Sequence, residues 1–154
     1  MRAAAAARSR LAALVAAVLV GLLGQAPAIV DDAHSFAMEA ALPFVEKGFK
    51  VRSDYWNGEL KPGKRKAVKH QLFKGNEYCF WLGADADGVA FKIGVYDMEG
   101  NPVKAEVVKG NHATSLRVLP PSTGSYVVVF SLEAAEGEKL ADEPISWALA
   151  YGYR

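Results

Sequence analysis

Three kinds of side chain in this sequence are spaced so that they could act together. Asp85 and Asp87, with Asp97 further on, offer carboxylates to a hard cation such as calcium, which wants six to eight oxygen ligands. The EF-hand spacing is not met, because position 89 is Val and no suitably placed Glu follows; Asp and Gly are also the residues a plain turn needs, and the turn is the preferred reading. Lys61-Pro-Gly-Lys-Arg-Lys-Ala-Val-Lys-His70 crowds five basic side chains into ten residues, with Lys64, Arg65, Lys66 and Lys69 placed to meet an anionic surface or acidic glycan. The ordinary alternative is a solvated edge strand whose lysines discourage aggregation. Trp56 and Trp81 each lie on the strand face opposite their better apolar neighbours. That face is therefore either covered by the helix or free to stack on sugar rings.

Other reactive groups are less organised. His34, His70 and His112 are scattered, with no two at metal-ligand spacing. The single Cys79 sits in an apolar run, Tyr78 to Leu82, with no cationic neighbour in sequence to lower its pKa, so burial is the expected state. No nucleophile elbow, phosphate loop or dinucleotide fingerprint is present in the sequence. The expectation is a non-catalytic binding or structural protein with no cofactor beyond a weak calcium candidate. A small hydrolase with a dispersed site is the alternative; it needs two of the histidines and a carboxylate in one cleft.

Residues 1–28 read as a signal peptide. Arg2, Arg8 and Arg10 precede an uncharged apolar run, Leu11 to Leu23, and Ala26-Pro-Ala28 supplies small residues for cleavage before Ile29. The 13-residue run would rise only about 20 Å as a helix, short of a bilayer core, so no transmembrane anchor is expected after cleavage. The arginines are not paired as a twin-arginine signal, and no Cys lies near the cleavage point to take lipid. Sec export to the periplasm or the extracellular space is expected. Removal of three arginines moves the formal net charge from +1 to −2, which argues against a nucleic-acid partner.

The elements that would position these groups follow from periodicity. Ala33, Phe36, Ala37, Ala40, Ala41 and Phe44 mark one short helix in residues 29–47, capped by Asp31 and Asp32 and ended near Pro43. From residue 48 to 154 the period is two. Strands are predicted from Phe49 to Trp56, Ala67 to Phe73, Glu77 to Gly83, Val89 to Asp97, Val103 to Lys109, Thr114 to Leu119, Ser125 to Ser131 and Ile145 to Tyr153. Residues 84–88 are expected to close a hairpin between the third and fourth strands, and Ser125 to Ser131 to be central and buried on both faces. About eight short strands after one helix predict an all-β antiparallel sandwich or jelly roll, with a lipocalin-like barrel around an apolar small molecule as the alternative.

Three phrases carry a family resemblance: Leu72-Phe-Lys-Gly-Asn-Glu-Tyr-Cys-Phe80, Phe91-Lys-Ile-Gly-Val-Tyr-Asp-Met-Glu-Gly-Asn-Pro-Val103 and Leu119-Pro-Pro-Ser-Thr-Gly-Ser-Tyr-Val-Val-Val129. Over about residues 66–131 the chain resembles bacterial pre-peptidase C-terminal domains, secreted β-sandwich modules appended to exported enzymes. The resemblance implies a β-sandwich without catalysis that binds a polysaccharide, a fibrous protein or calcium; the expected partner is a glycan, an envelope component or another secreted protein.

Overall fold

The structure is a computed structural model and describes residues 31–154; the expected leader and its cleavage site lie outside the described residues. Among the described residues one helix precedes nine strands: α1 (Asp32–Val45), β1 (Lys50–Val51), β2 (Trp56–Leu60), β3 (Arg65–Leu72), β4 (Tyr78–Ala84), β5 (Val89–Asp97), β6 (Ala105–Lys109), β7 (Ala113–Val118), β8 (Gly124–Ala134) and β9 (Ile145–Tyr153). The strands form two antiparallel sheets. Sheet A runs β1-β9-β4-β7-β6, with β2 also on β9, and sheet B runs β3-β8-β5. The all-β, sandwich-like expectation holds, and two separate sheets replace the alternative of a single closed barrel.

Alternation decides what each sheet buries. Phe80, Leu82, Leu116 and Leu149 from sheet A meet Val68, Val128, Phe130 and Leu132 from sheet B in one core. The other face of β4 carries Cys79, Trp81 and Gly83, and α1 lies across it, so all seven residues of β4 are buried. Helix α1 presents Ala33, Ala37, Ala41 and Phe44 to this face, and its N-terminus is capped by Asp31, whose carboxylate accepts a hydrogen bond from the His34 backbone N–H at 3.1 Å. Gly83 permits the close approach: a Cβ there would stand 2.0 Å from the Ala33 carbonyl oxygen. The Pro-x-x-x-Gly turn before β8 is tied by the Tyr126 hydroxyl, which donates to the Ser122 carbonyl at 2.7 Å.

Three local expectations are corrected. Residues 84–88 do not close a hairpin, because β4 and β5 belong to different sheets. The Ala84 and Asp85 N–H groups bond to His112 and Ser146, holding β4 between β7 and β9, while Gly88 accepts from Ala135 and starts β5 beside β8. Strand β8 is central in sheet B, but Tyr126, Val128 and Phe130 are buried while Ser125, Val127 and Val129 are half-buried, since among the described residues no element covers the outer face of this sheet. The predicted strand from Phe49 to Trp56 is two strands. Continuing the Val51–Gly152 register would put Trp56 opposite Trp147, yet it lies opposite Leu149, so two residues between Arg52 and Tyr55 have no partner on β9 and bulge outward.

Candidate functional site

That bulge organises the edge of the sandwich where β2 of sheet A faces β3 of sheet B. Each strand pairs on one side only, β2 with β9 and β3 with β8, leaving a groove between them. Inward positions of β3 alternate Val68, His70 and Leu72, and inward positions of β9 are Trp147, Leu149 and Tyr151. At the groove, Trp56, His70 and Tyr151 meet: the His70 ring is 5.3 Å from that of Trp56 and 4.5 Å from that of Tyr151, both edge to face. These rings divide two recesses that follow one another along β3. The near one, about 420 Å³, is bounded by Tyr55, Trp56, Lys66, Val68, Lys69 and Trp147. The far one, about 360 Å³, is bounded by Arg52, His70, Gln71, Asn76, Tyr78 and Tyr153, among others. Gly58 lets β2 lie flat on the Trp147 indole, since a Cβ there would come within 3.2 Å of the ring.

The bulge brings Asp54 to the groove, where its carboxylate accepts the Tyr151 hydroxyl proton at 2.9 Å and lies 4.0 Å from Arg52 Nε. The Tyr151 hydrogen bond, more than Arg52, holds the Asp54 carboxyl below its ordinary range. Burial, then the neighbouring Asp54, pushes the Tyr151 phenol up. Burial also pushes the His70 imidazole below its ordinary value, against the opposing pull of Asp54. The groove therefore holds a neutral imidazole at neutral pH, a carboxylate already engaged, and cations at both ends.

The residues singled out by sequence are distributed as follows. Trp56 is half-buried and faces the gap between the sheets. Trp81 is fully buried beneath α1, packed on Phe44 at 5.7 Å, so its reading as a ligand-stacking residue is corrected: the helix occupies that face. The basic run does not form one face, because strand alternation splits it. Lys64 is exposed in the turn before β3, Lys66 borders the near recess, and Lys69 stands on its lip. Arg65 lies opposite Ser131 on the outer face of sheet B. A depression of about 620 Å³ on that outer face also takes in Lys92 and Glu133, but these pair with each other at 3.8 Å.

The carboxylates weighed as weak calcium candidates lie apart. Asp97 ends β5, roughly 25 Å of strand from the Asp85–Asp87 connection. Its carboxylate is consumed in its own turn, accepting from the backbone of Glu99 and Asn101 and from the Asn101 side chain. Asp87 instead lies 3.3 Å from His112 Nε2. Among the described residues no three His, Cys, Asp or Glu side chains gather as a metal site. His34 stacks on Tyr55, His112 on Phe36, and His70 meets Tyr151 edge to face, so the three imidazoles have different ring partners. Cys79 is wholly buried, and desolvation raises its thiol pKa far above the ordinary value. Among the described residues no helix is long and apolar enough to cross a membrane.

Arg52, Asp54, Gln71 and Asn76 were not singled out from sequence. The alternation of Val68, His70 and Leu72 marks His70 as inward-facing, but only the bulge brings Arg52 and Asp54 beside it. Compared with known proteins, the chain matches no family model and no curated sequence.

Proposed function

We propose that this protein is an exported, non-catalytic binding module of the cell envelope or extracellular space that holds a carbohydrate chain in the groove between β2 and β3. One observation carries the reading: the cluster of Trp56, His70 and Tyr151 rings at an edge of the sandwich that no element among the described residues covers, with a polar-rimmed recess on either side. A sugar ring offers an apolar C–H face for an aromatic side chain and hydroxyls for the rim, and a recess that combines an aromatic wall with polar groups suits such a ligand. The resemblance to pre-peptidase C-terminal domains points the same way. Export belongs to the same proposal, and the secreted form is expected to begin at Ile29 by N-terminal sequencing.

Tryptophan emission tests the site, because Trp81 and Trp147 are buried and Trp56 alone of the three lies half-exposed at the groove. Titrating the purified protein with a panel of soluble polysaccharides should give a saturable emission change. Trp56→Ala, whose binding is followed by titration calorimetry because the reporter ring is gone, should weaken binding by about tenfold or more, as for a central aromatic contact. No change across the panel, or full affinity in a folded Trp56→Ala protein, overturns the proposal.

A further inference from the structure

We infer that the chain bound in this groove is acidic, a carboxylate-bearing polysaccharide whose acid groups are met by Arg52 at one end and by Lys66 and Lys69 at the other. The inference rests on the carbohydrate reading above and names the chemistry of its ligand.

The distribution of charge carries it. Residues 31–154 hold 15 Lys and Arg against 17 Asp and Glu, so an average patch of this surface is slightly negative. Yet the walls of the two recesses contain Arg52, Lys66 and Lys69 and no Asp or Glu. One carboxylate, Asp54, accepts from the Tyr151 hydroxyl and keeps its charge 4.0 Å from Arg52, so with Lys66 and Lys69 the groove stays positive on balance. A positive groove on an acidic domain selects an anionic partner, since the rest of the surface repels it.

The placement suits a chain more than a single small anion. Lys66 and His70 are four residues apart on β3, about 13 Å, with the Trp56 ring between the two recesses. An extended polymer can lay a ring on Trp56 while its acid groups reach the cations on either side. The Arg52 guanidinium offers a planar fork that matches a carboxylate, whereas Lys66 and Lys69 act as point charges at the lip.

Binding of polygalacturonate is compared with binding of its fully methyl-esterified form, the same sugar chain without charge. The acid form should bind at least about tenfold more tightly, and the advantage should shrink as salt screens the groove. Arg52→Gln and the double variant Lys66→Gln/Lys69→Gln should each remove most of that advantage, lowering the acid form's affinity far more than the ester's. Arg65→Gln, at a position on the same strand that borders neither recess, should leave both affinities unchanged. Equal binding of acid and ester overturns the acidic assignment while the carbohydrate site stands; binding of neither overturns that site and this inference with it. A loss with Arg65→Gln as large as with Lys66→Gln and Lys69→Gln assigns the effect to diffuse surface charge and overturns the groove as the acidic site.

Discussion

Sheet A carries Trp81 on its outer face and Trp56, beside the buried Trp147, on its inner face, and Trp81 and Trp56 are covered by different means. On the outer face, α1 lies so close that its backbone touches Gly83, and Trp81 beside it is sealed among Phe44, Cys79 and Ala150. On the inner face, at the β2 edge, Trp56 is covered only by side chains, His70 and Tyr151, and keeps part of its surface toward solvent. A ring sealed by backbone contributes to stability and can touch no ligand. A ring held at an open edge gives up part of its burial and remains available to one.

The contrast can be tested by removing each ring. Trp81→Ala should cost about 3–5 kcal/mol in denaturant unfolding, because the void under α1 cannot refill; Trp56→Ala should cost clearly less, and equal losses would break the distinction. Gly83→Ala should cost about 1–3 kcal/mol, since its methyl group meets helix backbone that must shift as a unit. A smaller effect, about 1 kcal/mol, is expected for Asp31→Ala, which releases the N-cap without opening the core; helical circular dichroism should report fraying at this end alone.

The smallest effect belongs to the groove and depends on pH. Because burial lowers the His70 pKa in the folded state, the unfolded chain takes up its proton first, near the ordinary value of 6.5, and the unfolded state binds more protons in that window. Stability should therefore fall as pH drops below about 6.5, and continue falling until the folded imidazole also protonates. His70→Gln should flatten this part of the profile. Asp54 acts in the same direction only below its ordinary value of 3.8, so the two windows separate in a melting series against pH.

Much of the fold is legible in the residues themselves. The alanine stripe of α1, the turn glycines and the period-two strands place the helix and most strand positions, and Trp147, Leu149, Tyr151 and Tyr153 share one face as their spacing requires. The site is less legible. Trp56 and the lysines at 66 and 69 stand out by type, but Trp81 stands out by the same pattern and is core, and Arg65 belongs to the other face of sheet B.

Periodicity fixes which residues share a face of a strand, because alternation is a property of the local backbone. It cannot say what lies against that face. Whether β4 and β5 pair or part, whether α1 covers Cys79 and Trp81, and whether two unpaired residues after Val51 carry Arg52 and Asp54 to Tyr151 depend on contacts between segments far apart in the chain. Those contacts follow from packing two sheets and a helix together, so composition and spacing supplied the elements and their faces, and the tertiary structure alone decided which aromatic face stayed open.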